Sequence, residues 1–159
     1  MPKYFLESSA FIKRYRPEDG SIFIDRLFEG EHTLFYLNLA ILEVRKVIFR
    51  LWKNPLEQDG QITEEEYSNL ESRFAADIQK MIRVEFSEEM IKKSLEFLKT
   101  ASENNAWIKT SFDLAQLTAY LIAKEENNDL FFVCADECSH LIKAAKVFVN
   151  DSDIIIPAN

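Results

Sequence analysis

Apolar positions along the chain fall into two kinds of run. Short unbroken runs predict strands at Tyr4–Leu6, Thr33–Tyr36 and Leu130–Ala135, and the last has the length of a central parallel strand. Longer segments in which apolar residues recur every three or four positions predict helices. Ser8 or Ser9 opens one through Ala10–Tyr15, which Pro17 stops, and Ser21 opens a second that ends at Gly30. Leu39 to Trp52 is apolar around most of its circumference, which predicts a largely buried helix with Glu43 inside it. Asn54 to Gly60 reads as a turn-rich break, and Thr63 with Glu66 forms a capping box ahead of an amphipathic helix to about Met81. Arg83–Phe86 suggests a short strand. Ser87 then caps a helix with Met90, Ile91, Leu95 and Leu98 on one face. Thr110–Asp113 opens another, Glu137 to Lys146 forms the last, and Val147–Val149 and Ile154–Ile156 are β-rich.

Strands alternating with helices predict an α/β fold of three α/β/α layers with a central, mainly parallel sheet. We read residues 1–159 as a single domain with a helical insertion or arm at about 61–82. Thirteen Phe against three Gly and four Pro make the chain an ordered one with a substantial core. A net charge of −8 excludes a grip on nucleic acid by bulk electrostatics, but leaves open action through a bound metal or a basic protein partner. Cys134 and Cys138 read as reduced thiols in or near the core. With His140 they would put three ligands on one turn, and His32 lies far away, so zinc is disfavoured. Neither a signal-peptide pattern nor a membrane-length apolar run is seen, and a cytoplasmic location is expected. There is no Gly-x-Ser-x-Gly turn and no Gly-rich phosphate loop.

Four carboxylates stand out by position: Glu7 and Asp136 at strand ends, Asp113 in the first turn of a helix, and Glu43 in an apolar helix. Each has an ordinary explanation. Asp136 can cap its helix, Asp113 can complete the box begun by Thr110, and Glu43 can pair with Lys46 or Lys13. Converging carboxylates repel one another unless a cation joins them, and oxygen ligands select Mg²⁺ or Mn²⁺. Phosphodiester hydrolysis is the reaction class that suits such a site. Lys13 and Arg14 are candidates for phosphate contact or for a solvated helix face.

Leu6-Glu7-Ser8-Ser9-Ala10 resembles the opening of PIN domains, and Glu43, Asp113 in Phe112-Asp113-Leu114-Ala115, and Asp136 in Val133-Cys134-Ala135-Asp136 resemble the later acidic motifs in order. The resemblance spans nearly the whole chain. It implies a metal-dependent ribonuclease, often the toxin of a VapC-type toxin–antitoxin pair, a homodimer inhibited by an antitoxin protein. It also assigns metal-site and catalytic roles to Glu7, Glu43, Asp113 and Asp136, with Mg²⁺ or Mn²⁺, and gives Ser9 a supporting contact to a ligand or to the metal's water. Family members usually have Asp where this chain has Glu7. The extra methylene leaves three outcomes open: weaker cleavage, greater use of Mn²⁺, or none. The alternative reading is a catalytically weakened PIN-fold protein-interaction module.

Overall fold

The computed structural model describes residues 1–53, 61–135 and 138–158. Five strands form one sheet: β1 (Lys3–Leu6), β2 (Thr33–Leu37), β3 (Ile82–Val84), β4 (Leu130–Val133) and β5 (Ile154–Ile155). Their order is β3-β2-β1-β4-β5 and every pairing is parallel. The first strand thus lies at the centre, with Lys3 paired to Thr33 on one side and to Leu130 on the other. From β1 the chain winds outward to β3, then returns to lay β4 on the opposite side. The order therefore reverses between β1 and β4, where parallel sheets open a crevice beyond their carboxyl ends.

Strand alternation divides the core. Phe5 points to one face, with Tyr120, Phe132 and Leu141, and Leu6 points to the other, with Phe11, Val44 and Phe74. The first face is covered by α5 (Glu88–Glu103), α6 (Ser111–Glu126) and α7 (Ser139–Ala145), the second by α1 (Ser8–Ile12), α2 (Ser21–Glu29), α3 (Ala40–Trp52) and α4 (Glu64–Gln79). The capping box of α4 is formed as expected, with both the Thr63 and Glu66 side chains bonded to backbone N–H groups. Phe74 of α4 lies against the rings of Phe11 and Tyr15. The break expected at 54–60 lies outside the described residues.

Three expectations are corrected. α3 buries only Ala40, Val44 and Ile48, while Leu42 and Phe49 are 65% and 47% exposed, because the helix lies on the outside of the sheet and covers it with one stripe. α5 likewise packs through Met90, Ser94 and Ala101, leaving Ile91 and Leu95 exposed, since α6 meets it along a stripe that those two residues flank. Val147–Val149 is a turn and not a strand: the N–H groups of Val147 and Phe148 donate to the carbonyls of Ala144 and Ala145 at 3.1 and 2.9 Å, extending the end of α7. Among the described residues no helix is long and apolar enough to cross a membrane.

Candidate active site

Glu7 stands where β1 gives way to α1. Its N–H donates to Val133 O at 3.0 Å, so it is still held to the end of β4. Its carboxylate turns back as the N-cap of α1, where Oε2 accepts the Ser9 N–H at 2.8 Å and the Ser9 hydroxyl. The helix is therefore opened by Glu7 and not by either serine. Ser9 Oγ in turn accepts the Ala135 N–H at 3.2 Å, which ties the acid's hydrogen-bond partner to the residue after β4. Ser8 points elsewhere and accepts a hydrogen bond from Gln116 Nε2, fastening α1 to α6.

At 3% exposure the Glu7 carboxyl has lost nearly all contact with water. Burial above all, then Cys138 and more weakly Glu43, push its pKa from 4.5 up to about 8, against the lowering effect of the Ser9 hydrogen bonds. These surroundings hold Glu7 protonated at neutral pH. A divalent cation beside it would reverse that balance.

Glu43 and Asp113 lie on helices. Glu43 lies half-buried in the first turn of α3, near enough to act on Glu7 electrostatically. Asp113 lies in the first turn of α6, its N–H bonded to the Thr110 hydroxyl at 3.1 Å. Its carboxylate is turned to α7, where Oδ2 lies 2.9 Å from His140 Nε2. Asp136 lies outside the described residues, between the described Ala135 and Cys138. Carboxylate oxygens of this kind are the donors that Mg²⁺ and Mn²⁺ prefer, and a buried acid raised by its neighbours is a group that a cation would ionise.

Two features escape a reading of the sequence. His140 is the partner of Asp113, although 27 positions separate them. The cysteines lie beside Glu7 as well: Glu7, Cys134 and Cys138 form the one group of three or more such residues, among those described, whose ligand atoms all lie within 4.8 Å of one another. Cys134 Sγ is 3.9 Å from Glu7 Oε2, and its thiol pKa is raised, first by its bond with Cys138 and then by burial. Lys13 and Arg14 form neither a solvated face nor a ready phosphate contact. Lys13 is buried with its Nζ 3.0 Å from Glu18, and Arg14 donates to Asp25 at 2.6 Å and to Asp77 at 3.2 Å. A cleft of about 590 Å³ beside them, between the segment that follows α1 and the helices α2, α3 and α4, is lined by none of Glu7, Glu43 and Asp113.

No family model matches the chain, and no curated protein matches it. Among solved structures, VapBC2 from Rickettsia felis, crystallised bound to a DNA fragment from their promoter, is similar over 89% of this chain and 94% of that chain, with a TM-score of 0.55 and 14% identity. A likeness at that identity is one of architecture, and the chain has a PIN-like fold.

Proposed function

We propose that this chain is a metal-dependent ribonuclease and the toxin component of a toxin–antitoxin pair. The observation that carries the reading is Glu7: a buried acid at the point where strand order reverses, its pKa raised to about 8, with Glu43 close enough to contribute. Glu7, Glu43, Asp113 and Asp136 would hold Mg²⁺ or Mn²⁺. When bound, such an ion generates a nucleophile from water near neutral pH and offsets charge on the phosphoryl oxygens. The chain's own residues prepare that chemistry. Ser9 fixes the Glu7 carboxylate by two hydrogen bonds to one oxygen, and His140 fixes the direction of Asp113. The fold likeness to a VapBC assembly supports an antitoxin as protein partner. A homodimer in the cytoplasm completes the reading.

The test is cleavage of a panel of labelled RNAs with Mg²⁺, Mn²⁺ or EDTA, beside the Asp113→Asn variant. Cleavage that requires metal and falls to background in the variant is expected. If no RNA is cut and neither protein binds metal, the reading fails and the interaction module takes its place. That second reading is favoured by the use of Glu7 as a helix cap and by its extra methylene. Glu7→Asp separates the two, because a large gain in metal affinity and cleavage would mark a weakened hydrolytic site.

A further inference from the structure

Two thiols lie at a site whose hydrolytic reading uses neither. Glu7 comes from the end of β1, Cys134 from the end of β4, and Cys138 from the N-cap of α7. Glu7 and Cys134 are buried, while Cys138 is part-exposed and gives the group its approach from solvent. Their ligand atoms all lie within 4.8 Å of one another, with 3.9 Å between Cys134 Sγ and Glu7 Oε2. A tetrahedral Zn²⁺ with bonds of about 2.0–2.3 Å sets its ligand atoms roughly 3.5 Å apart, so only a small contraction separates this arrangement from a coordination edge. The cysteines also have the Cys-x₂₋₄-Cys spacing common in zinc sites.

The backbone holds the donors in place. Glu7 N–H donates to Val133 O at 3.0 Å, Cys134 N–H to Ile155 O at 3.1 Å and Cys138 N–H to Ala135 O at 3.1 Å. His140, the ligand that the sequence would have added, is engaged with Asp113 at 2.9 Å, which leaves a fourth position to water. Thiolate sulfur is a poor ligand for Mg²⁺ and a good one for Zn²⁺.

We propose that Glu7, Cys134 and Cys138 form a soft-metal site of the Zn²⁺ class. On binding, the two thiols and the Glu7 carboxyl each lose a proton to solvent, two sulfur–metal bonds and one oxygen–metal bond form, and the ion gives up all but one of its waters. Glu7 then serves two sites, so a soft ion and a hard ion compete for one carboxylate. That competition rests on the ribonuclease reading; the binding does not.

The test uses the full-length reduced protein, freed of reductant under anaerobic conditions and titrated with Co²⁺ as the spectroscopic stand-in for Zn²⁺. The expected result is a thiolate-to-cobalt charge-transfer band and the d–d bands of tetrahedral Co²⁺, saturating at one equivalent and lost on addition of Zn²⁺. Cys138→Ser should lose about half of the charge-transfer intensity or more, and Glu7→Gln should retain the band but weaken binding at least about tenfold. Circular dichroism reports whether each variant is folded. Should a Cys134→Ala protein not fold, Cys138→Ser, at the part-exposed cap, carries the test. Absence of the band in the unaltered protein, or a band unchanged in Cys138→Ser, overturns the proposal. A band in a protein that neither cuts RNA nor binds Mg²⁺ or Mn²⁺ would sink the ribonuclease reading and leave this site standing.

Discussion

Glu7 makes the protein's stability depend on pH in an unusual direction. Its folded pKa of about 8 lies above the ordinary 4.5, so between those values the folded protein keeps a proton that the unfolded chain has lost. The contribution of Glu7 to stability is therefore largest below the lower value and is lost as pH rises toward the upper one, by on the order of a few kcal/mol. Glu7→Gln keeps an acceptor for Ser9 without the titration, and is expected to be more stable than the parent above pH 8. Urea unfolding of both proteins at mildly acid and mildly alkaline pH checks this, and parallel profiles would refute it. In the parent, Mn²⁺ affinity should rise with pH up to about 8, because binding must displace the Glu7 proton. His140→Gln tests the other arm: loss of the group that aims Asp113 is expected to weaken Mn²⁺ binding by about 10–100-fold, read by titration. Glu7 was legible because a three-residue apolar run locates the strand end beside it. The Asp113–His140 pair was not, since neither residue's local pattern says that α6 and α7 bring them together. The thiols lie in and beside the core as expected, but their nearness to Glu7 was not legible, since the sheet and not the local sequence brings the three together.

Helices show how far local signals reach. The Thr63 capping box is read directly, because both its hydrogen bonds close within one turn. What α4 packs against is a different matter, since an amphipathic pattern states which face is apolar and not what will cover it. Phe74 enters the aromatic cluster of Phe11 and Tyr15, and Asp77, 5% exposed, accepts from the Tyr15 hydroxyl at 3.0 Å and from Arg14 at 3.2 Å. Phe74→Ala should cost about 3–5 kcal/mol through the lost ring and the cavity left behind. Asp77→Ala should cost about as much, because the Arg14 guanidinium loses a partner inside the core and the Tyr15 hydroxyl loses its acceptor. Denaturant midpoints measure both, and a loss under about 1 kcal/mol for either would mean that α4 contributes little to the second core. In α3 and α5 the error ran the other way. Leu42, Ile91 and Leu95 are apolar yet exposed, so composition alone overstated how much of each helix is buried.

For the molecule as a whole, alternating elements were enough to infer a parallel sheet with helices on both faces. Strand order was not, because a parallel pairing leaves no mark on the residues between its partners. That order has a consequence for how the protein is made. β1 precedes every other element of the sheet in the chain, yet it occupies the middle of the sheet and stays without one neighbour until Leu130–Val133 has been synthesised. Pairing across so long a separation is slow to form. A nascent chain stopped before β4 has one side of β1 unpaired and lacks Cys134, Cys138 and His140, and is expected to show no cooperative unfolding transition. Synthesis itself thus acts as a timer, and the candidate site comes into being only once β4 and α7 have followed the first three strands.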